Sequence, residues 1–142
     1  MTYTSPQRIR FGDCDAAGIA YFPRLLALVD NAVEDWLIAT ISVDRAVMHI
    51  DQRLALPTVE LRSSFKWPCR LGETLAIGIT PTQIGTTSIT FAVEAGVADV
   101  PRFTATLVQV LIDLETGRPR NWPAAWHARL GLSIPQLESL EA

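Results

Sequence analysis

The fold of this chain is decided by residues 24–40, which read RLLALVDNAVEDWLIAT. Apolar side chains recur here every three or four residues, the spacing that places them on one face of an α-helix. They form a stripe with a flank on either side: Leu25, Leu26, Val29, Ala32, Val33, Trp36 and Leu37. Polar residues such as Arg24 and Glu34 take the other side. The pattern predicts a long helix that is apolar over nearly half its circumference and buried along that face.

Beyond Pro57 the apolar residues alternate with polar ones, as they do in a β-strand with one buried face. Four such stretches follow one another, separated mostly by short turns, at residues 59–67, 75–79, 89–95 and 103–113. The last is apolar on both faces in its middle, so we expect it in the centre of the sheet. A short strand is also expected at residues 7–11, before the helix.

This order of elements predicts an α+β fold, in which an antiparallel sheet of about five strands curls around one long helix. Shorter helices are expected at residues 43–50 and after Pro123. No repeat, low-complexity tract or linker interrupts the sequence. A single domain over residues 1–142 is therefore expected.

Composition excludes several classes of protein. The net charge is -3, whereas a nucleic-acid-binding protein usually presents a basic face. His49, His127, Cys14 and Cys69 stand apart and form no metal-ligand motif, so we expect no metal site and two reduced cysteines. No apolar run approaches the roughly 18–20 residues that cross a bilayer, and the N-terminus is polar. These features predict a cytoplasmic protein.

The residues that could carry chemistry converge at 11–23, which read FGDCDAAGIAYFP. Asp13 and Asp15 supply carboxylates, and Pro23 marks the start of a helix, where backbone N–H groups are unpaired and the helix dipole is positive. Because proline has no N–H, the amide of Phe22 is an available donor. Such a donor stabilises the oxyanion of an acyl-transfer reaction, while a carboxylate attacks the carbonyl or activates water.

A structural interpretation of the same residues is also open. Aspartate and glycine before a helix commonly form turns and helix caps without any catalytic role. Asp13 is expected to brace the loop rather than react. Cys14 lies between two carboxylates that raise the pKa of its thiol, which makes it a poor nucleophile. Spacing alone does not decide between the two interpretations.

Residues 11–23 resemble the signature of the 4-hydroxybenzoyl-CoA thioesterase family, in which F-G-D-C-D-P-A-G-I precedes two aromatic residues and a proline. Weaker resemblance extends through residues 57–65 and 71–75 to the strand that ends at Asp113. The chain departs from the family at Ala16, usually proline, and at Phe22, commonly tyrosine; neither change removes a reactive group. The resemblance implies a hotdog fold and hydrolysis of an acyl-CoA thioester, such as 4-hydroxybenzoyl-CoA, without a further cofactor.

The resemblance also implies roles for particular residues. Asp15 corresponds to the catalytic carboxylate, the backbone N–H of Phe22 to the oxyanion donor, and Gly18 to the glycine that opens the loop toward the thioester. Further substrate contacts are expected from Asp30, Tyr21, Pro57 and Thr58, although Asp30 could instead be a solvated helix residue. Candidates for binding the phosphates of coenzyme A are Lys66, Arg70 and Arg102.

The resemblance implies a homodimer, or a tetramer made of two dimers, with active sites built across the dimer interface and no nucleic-acid or membrane partner. One alternative is a thioesterase for short or medium aliphatic acyl-CoA, but those enzymes usually place a histidine soon after the helix-opening aromatic. Another is a hotdog hydratase, which needs a histidine paired with a carboxylate. A third is a non-catalytic acyl-CoA-binding module, against which the complete loop around Asp15 argues.

Overall fold

The computed structural model describes residues 2–131 as a five-stranded antiparallel sheet packed against one long helix. The strands are β1 (Tyr3–Arg8), β3 (Thr58–Phe65), β4 (Thr74–Ile84), β5 (Ser88–Val97) and β6 (Val100–Val110), and their order across the sheet is β1-β4-β5-β6-β3. Two short strands, β2 (Leu54–Ala55) and β7 (Ile112–Asp113), pair separately. The helices are α1 (Phe22–Ile41) and α2 (Ala124–His127). The predicted α+β hotdog architecture is confirmed.

Helix α1 follows the predicted apolar stripe but begins two residues earlier, at Phe22. Its last carbonyls are capped by Ser42, which adopts the left-handed conformation (φ 55°) and donates its N–H to the oxygen of Leu37. The stripe faces the sheet, where the indole of Trp36 meets the ring of Phe91 edge-on at 4.9 Å between centroids. Apolar burial along this face holds the helix on the sheet.

The inward faces of β4, β5 and β6 supply the other half of the core. Leu75, Ile77 and Ile79 of β4 are fully buried, as the alternation predicted. The prediction that residues 103–113 form the central strand was wrong, because β5 takes the middle position. Strand β6 is nevertheless an interior strand, bonded to β5 on one side and β3 on the other.

Strand β3 lies at one edge of the sheet, and within one chain both of its faces are exposed. The predicted buried face of residues 59–67 is therefore open: Val59 is 60% exposed, Leu61 43%, Phe65 44% and Trp67 64%. The reason is the position of α1, which packs nearest to β1 and β4, at the opposite edge of the sheet from β3. The sequence periodicity marks an apolar face that the other described residues, within 2–131, do not cover.

Strand β1 forms the opposite edge and differs from the prediction in its bounds. It spans Tyr3–Arg8 rather than residues 7–11, and a single 3₁₀ turn follows at Phe11–Asp13. Ser5 is fully buried and donates its hydroxyl to Asp35 of α1 at 2.6 Å, which ties this edge to the helix. Pro6 lies in the middle of β1 and has no backbone N–H to offer another strand.

The remaining elements close the ends of the core. The short helix expected at 43–50 is present as a π-helix at Val47–Asp51, and the one expected after Pro123 is α2. Trp122 is buried and donates its indole N–H to the oxygen of Gly85 at 2.7 Å. Within residues 2–131 no helix is long and apolar enough to cross a membrane. The predicted domain also includes Met1 and residues 132–142, which lie outside the described residues.

Candidate active site

The loop before α1 is a small hairpin with Asp15 near its tip. Asp15 donates its N–H to the oxygen of Ile19 at 2.9 Å, Cys14 pairs with Ala20, and the N–H of Tyr21 donates to the oxygen of Asp13 at 2.9 Å. The chain reverses through Gly18, whose φ of +75° is a conformation that glycine adopts without steric cost. The small residues of the signature therefore serve to turn the backbone sharply around Asp15.

The carboxylate of Asp15 is held by one oxygen and open at the other. Its Oδ1 accepts the N–H of Ala17 at 2.9 Å and that of Ile19 at 3.2 Å. Its Oδ2 has no hydrogen-bond partner among residues 2–131, and the side chain is exposed. The loop thus fixes the direction of the carboxylate and leaves one oxygen available to react.

The hairpin leads directly into the start of α1. Phe22 is the first residue of the helix and Pro23 the second. Within residues 2–131 the N–H of Phe22 finds no acceptor, as is normal for the first turn of a helix. The positive end of the helix dipole adds to its affinity for negative charge. Within residues 2–131, an unpaired carboxylate oxygen and an unpaired backbone N–H therefore belong to one continuous hairpin and helix.

Asp13 braces this loop, as predicted. Its buried carboxylate accepts the N–H of Arg10 at 2.9 Å and lies 3.4 Å from Nε of Arg24 in the first turn of α1. Arg24 was not predicted as a site residue. A cation is unfavourable at the positive end of a helix dipole, so its presence there indicates a negative charge nearby. Partial burial, together with the charges of Asp13 and Asp15, raises the pKa of the Cys14 thiol.

The loop also packs against the turn between β3 and β4. Ala20 donates its N–H to the oxygen of Cys69 at 2.7 Å, and Leu71 donates to the oxygen of Gly18 at 3.0 Å. Arg70 pairs by its backbone with Ile19. These bonds hold the Asp15 hairpin to the sheet from the side opposite Asp13.

An exposed aromatic surface begins at the helix start. The ring of Phe22 lies 5.6 Å from that of Tyr21 and 6.4 Å from that of Phe65, measured between centroids. Leu61 lies on the same inward face of β3 as Phe65. We call Tyr21, Phe22, Leu61 and Phe65 the aromatic shelf. It offers an apolar surface next to the backbone N–H of Phe22, against which a planar ring could stack.

Other predicted substrate contacts lie far from the shelf within one chain. Pro57 and Thr58 stand at the start of β3, and Thr58 is about 23 Å from Phe65 at the rise of an extended strand. Asp30 is exposed on α1, about 12 Å along the helix from Phe22, and its two oxygens bind Arg45 at 2.9 and 3.0 Å. One chain does not bring these residues to Asp15, and their substrate contacts stay predictions.

The three candidate phosphate ligands differ in their surroundings. Arg102 is largely buried and donates to both carboxylate oxygens of Glu73 at 2.7 Å and to the oxygen of Pro68 at 2.9 Å. This pairing lowers the pKa of Glu73 and occupies the charge that a phosphate would need. Lys66 is exposed at the rim of a groove of about 350 Å³ beside Glu94. Arg70 is exposed and pairs by its backbone with Ile19 of the Asp15 hairpin.

Comparison with known proteins places this architecture in a family. The model of the thioesterase-like superfamily matches residues 9–130. A 1,4-dihydroxy-2-naphthoyl-CoA hydrolase from Nostoc punctiforme is 30% identical over 123 residues, which cover 87% of this chain and 82% of that protein. The protein of the same name from Crocosphaera subtropica is 33% identical over 87 residues, 61% of either chain.

Solved structures agree on the fold. A thioesterase-superfamily protein from Jannaschia superposes with a TM-score of 0.82 at 26% identity, over 92% of this chain and 91% of that one. A 1,4-dihydroxy-2-naphthoyl-CoA thioesterase from Synechocystis gives a TM-score of 0.80 at 24% identity, over 92% and 96%. The expected 4-hydroxybenzoyl-CoA thioesterase membership is thus supported only at the broader level of the superfamily. The chain belongs to the thioesterase-like superfamily.

Proposed function

We propose that this protein is an acyl-CoA thioesterase that hydrolyses an aryl-CoA thioester, with Asp15 as its reacting carboxylate and the N–H of Phe22 as its oxyanion donor. One observation carries the proposal. Oδ1 of Asp15 is anchored by the N–H groups of Ala17 and Ile19, and the same hairpin ends at Phe22; among residues 2–131 neither Oδ2 of Asp15 nor the N–H of Phe22 has a hydrogen-bond partner. A mere turn-forming aspartate needs only the first of these features.

The proposed reaction begins when the thioester oxygen accepts the N–H of Phe22, which polarises the carbonyl. In one route Oδ2 of Asp15 bonds to the carbonyl carbon, the C–S bond breaks and coenzyme A leaves as thiolate; water then hydrolyses the acyl anhydride and regenerates the carboxylate. In the other route Oδ2 takes a proton from water, whose oxygen attacks the carbonyl directly; the C–S bond then breaks, and the proton on Asp15 passes to the departing thiolate of coenzyme A. Both routes give free acid and coenzyme A.

The aromatic shelf supports an aryl substrate over an aliphatic one. Tyr21 and Phe22 present ring faces and edges beside the oxyanion donor, where the ring of an aryl thioester can stack. The relatives named above carry the name of a hydrolase for 1,4-dihydroxy-2-naphthoyl-CoA. We therefore take that thioester as the first substrate to test and 4-hydroxybenzoyl-CoA as the second.

A second copy of the chain is the expected partner, through strand β3. The strand has an unpaired edge and exposes Val59, Leu61 and Phe65, whereas the other edge of the sheet carries Pro6. Such an open apolar edge is a template for pairing. Antiparallel pairing of two copies along β3 brings the start of the strand in one copy, with Thr58, beside its end in the other, with Phe65. This arrangement would reconcile Pro57 and Thr58 with the predicted substrate site.

The assembly is tested by the substitution Leu61→Lys, which places a charge on the open face of β3. We expect it to convert the wild-type oligomer to a monomer in a solution mass measurement and to abolish turnover. Thr106→Lys, on the exposed outer face of β6, is the matched control and should change neither. A wild-type protein that is monomeric and fully active would exclude the shared site.

The reaction is tested by measuring free-thiol release from aryl and aliphatic acyl-CoAs. We expect turnover of a hydroxyaryl-CoA that falls about 10²-fold or more in Asp15→Asn and Asp15→Ala. Asp51→Asn, an exposed aspartate of the π-helix, is the control and should stay active. Faster turnover of aliphatic thioesters would favour that class of enzyme, and binding without turnover would favour the non-catalytic module. Oxygen-18 incorporation into Asp15 in a single turnover would identify the nucleophilic route.

A further inference from the structure

Gln109 is a polar side chain in the middle of an apolar core. It is 1% exposed and lies on the inward face of β6, between Leu107 and Leu111. Its Nε2 donates to Oγ1 of Thr58 on the neighbouring strand at 3.1 Å. Its Oε1 is buried and has no donor within hydrogen-bond distance among residues 2–131.

Stability does not account for this glutamine. A buried carbonyl without a partner costs free energy, whereas methionine has nearly the same shape and carries no such group. Departures from a well-satisfied core are concentrated at functional positions. The contact with Thr58 is the one use that the described part of the chain makes of the Gln109 side chain.

The contact fixes the polarity of the Thr58 hydroxyl. Because Gln109 donates to its oxygen, the hydroxyl hydrogen points away from Gln109 and can donate to another group, while the oxygen keeps one further lone pair. Thr58 is exposed and lies on the inward face of β3, which α1 leaves uncovered. It therefore presents a directed donor to whatever occupies that face.

Pairing of β3 between two copies brings this donor to the aromatic shelf. Antiparallel pairing brings the start of β3 in one copy, where Thr58 lies, beside its end in the other, where Phe65 lies 6.4 Å from Phe22. An aryl group whose thioester carbonyl binds the N–H of Phe22 extends along the shelf past Phe65. An oxygen substituent on that ring supplies an acceptor for the hydroxyl of Thr58.

We propose that Gln109 is a positioning residue for substrate specificity: it aims the Thr58 hydroxyl at an oxygen substituent on the aryl ring held by the second copy. This inference rests on the proposed thioesterase function and on pairing through β3. It predicts preference for ring-hydroxylated aryl-CoA over the same ring without oxygen. Gln109 itself does not touch the substrate.

The test compares Gln109→Met, Thr58→Val and the double variant on two pairs of thioesters: 1,4-dihydroxy-2-naphthoyl-CoA with 2-naphthoyl-CoA, and 4-hydroxybenzoyl-CoA with benzoyl-CoA. The readout is the ratio of kcat/KM for the hydroxylated over the unsubstituted ring. We expect this ratio to fall about tenfold in either single variant. It should fall no further in the double variant, because both substitutions disable the same hydrogen bond, from the Thr58 hydroxyl to the ring oxygen. Thr58→Ser, which keeps the hydroxyl, should retain the ratio, and Thr106→Val is the matched surface control.

A second readout separates positioning from packing. If Gln109 acts through Thr58, Gln109→Met should keep or raise the Tm while selectivity falls. A lower Tm with an equal loss on both rings would show that the glutamine is only structural, and an unchanged ratio would overturn the proposal. Wild-type protein that hydrolyses none of the four thioesters would refute the proposed function instead, so the two failures are distinguishable.

Discussion

Replacing Gly18 with alanine tests whether the conformation of the hairpin around Asp15 is required for activity. Apart from its chain neighbours, no atom of the described residues lies within 4 Å of a Cβ built at Gly18, so the substitution creates no clash with them. Its whole cost comes from holding alanine at a φ of +75°. That cost is about 1–2 kcal/mol, which should lower the Tm by about 2–8 °C for a chain of this size.

The same strain should appear in catalysis if the hairpin relieves it by moving. Gly18 donates its N–H to the oxygen of Asp15 at 3.0 Å and accepts from Leu71 at 3.0 Å, so any rotation of its backbone shifts Asp15 relative to the sheet. A conformational cost of about 1–2 kcal/mol corresponds to a loss of about 5–30-fold in kcat/KM. Asparagine tolerates the left-handed conformation better, so Gly18→Asn should fall between alanine and wild type.

Gly12→Ala is the matched control within the same signature. A Cβ at Gly12 meets only Nη2 of Arg24 at 3.9 Å, an ordinary contact, and its φ is not positive. Thermal unfolding and thioester kinetics would be measured for all three variants. If Gly18→Ala matched Gly12→Ala in both Tm and kcat/KM, the argument from loop geometry would be refuted.

Two further predictions concern stability. The hydrogen bonds from Arg102 lower the pKa of Glu73, so the unfolded chain, in which glutamate titrates near pH 4.3, binds more protons at that pH than the folded one. The stabilisation is thus fully present above about pH 4.3 and is lost as the pH falls through the folded pKa. Urea titrations at several pH values should show that Glu73→Gln weakens the pH dependence of the free energy of unfolding, whereas Glu60→Gln leaves it unchanged. The same pH dependence in both variants would contradict the assignment. The hairpin between β5 and β6 holds Ala98 at φ 49° and Asp99 at φ 65°, as a type I′ turn requires. Changing this pair to Asn-Gly should therefore raise the free energy of unfolding by about 1–2 kcal/mol in the same titrations. A lower free energy of unfolding would contradict the assignment of the turn type.

The sequence predicted best those elements whose burial depends on the chain alone. The stripe from Leu25 to Leu37 and the alternation at Leu75, Ile77 and Ile79 predicted the faces that are in fact buried. Strand β3 has an equally clear period, but its apolar face stays open, because periodicity identifies a face without saying what covers it. The bounds of β1 were missed for a related reason: its polar sequence YTSPQR becomes a strand by pairing with β4 and by the bond from Ser5 to Asp35.

The conformation of the candidate site loop was predictable where local chemistry determines it, whereas the catalytic roles came from the family resemblance and stay predictions. Gly18 and Asp15 stand in a motif whose backbone turn follows from residue type, and the helix start at Phe22 follows from Pro23. The surroundings of Asp30 and Arg102 depend on partners distant in sequence, Arg45 and Glu73, which no local pattern shows. Gln109 escaped notice because it lies inside an apolar run, although a lone amide there was a visible signal.

Pro6 has a consequence for how large an assembly this sheet can form. A sheet grows through edges that offer free N–H and C=O groups, and proline in an edge strand removes a donor from that edge. The edge formed by β1 is therefore blunt, meaning that it lacks a donor needed to pair with another strand, whereas the edge formed by β3 is receptive, meaning that it can pair. Joining two receptive edges leaves only blunt ones outside, so growth by strand addition ends after a single step. The same apolar strand that invites a partner thus does not lead to an open-ended fibre.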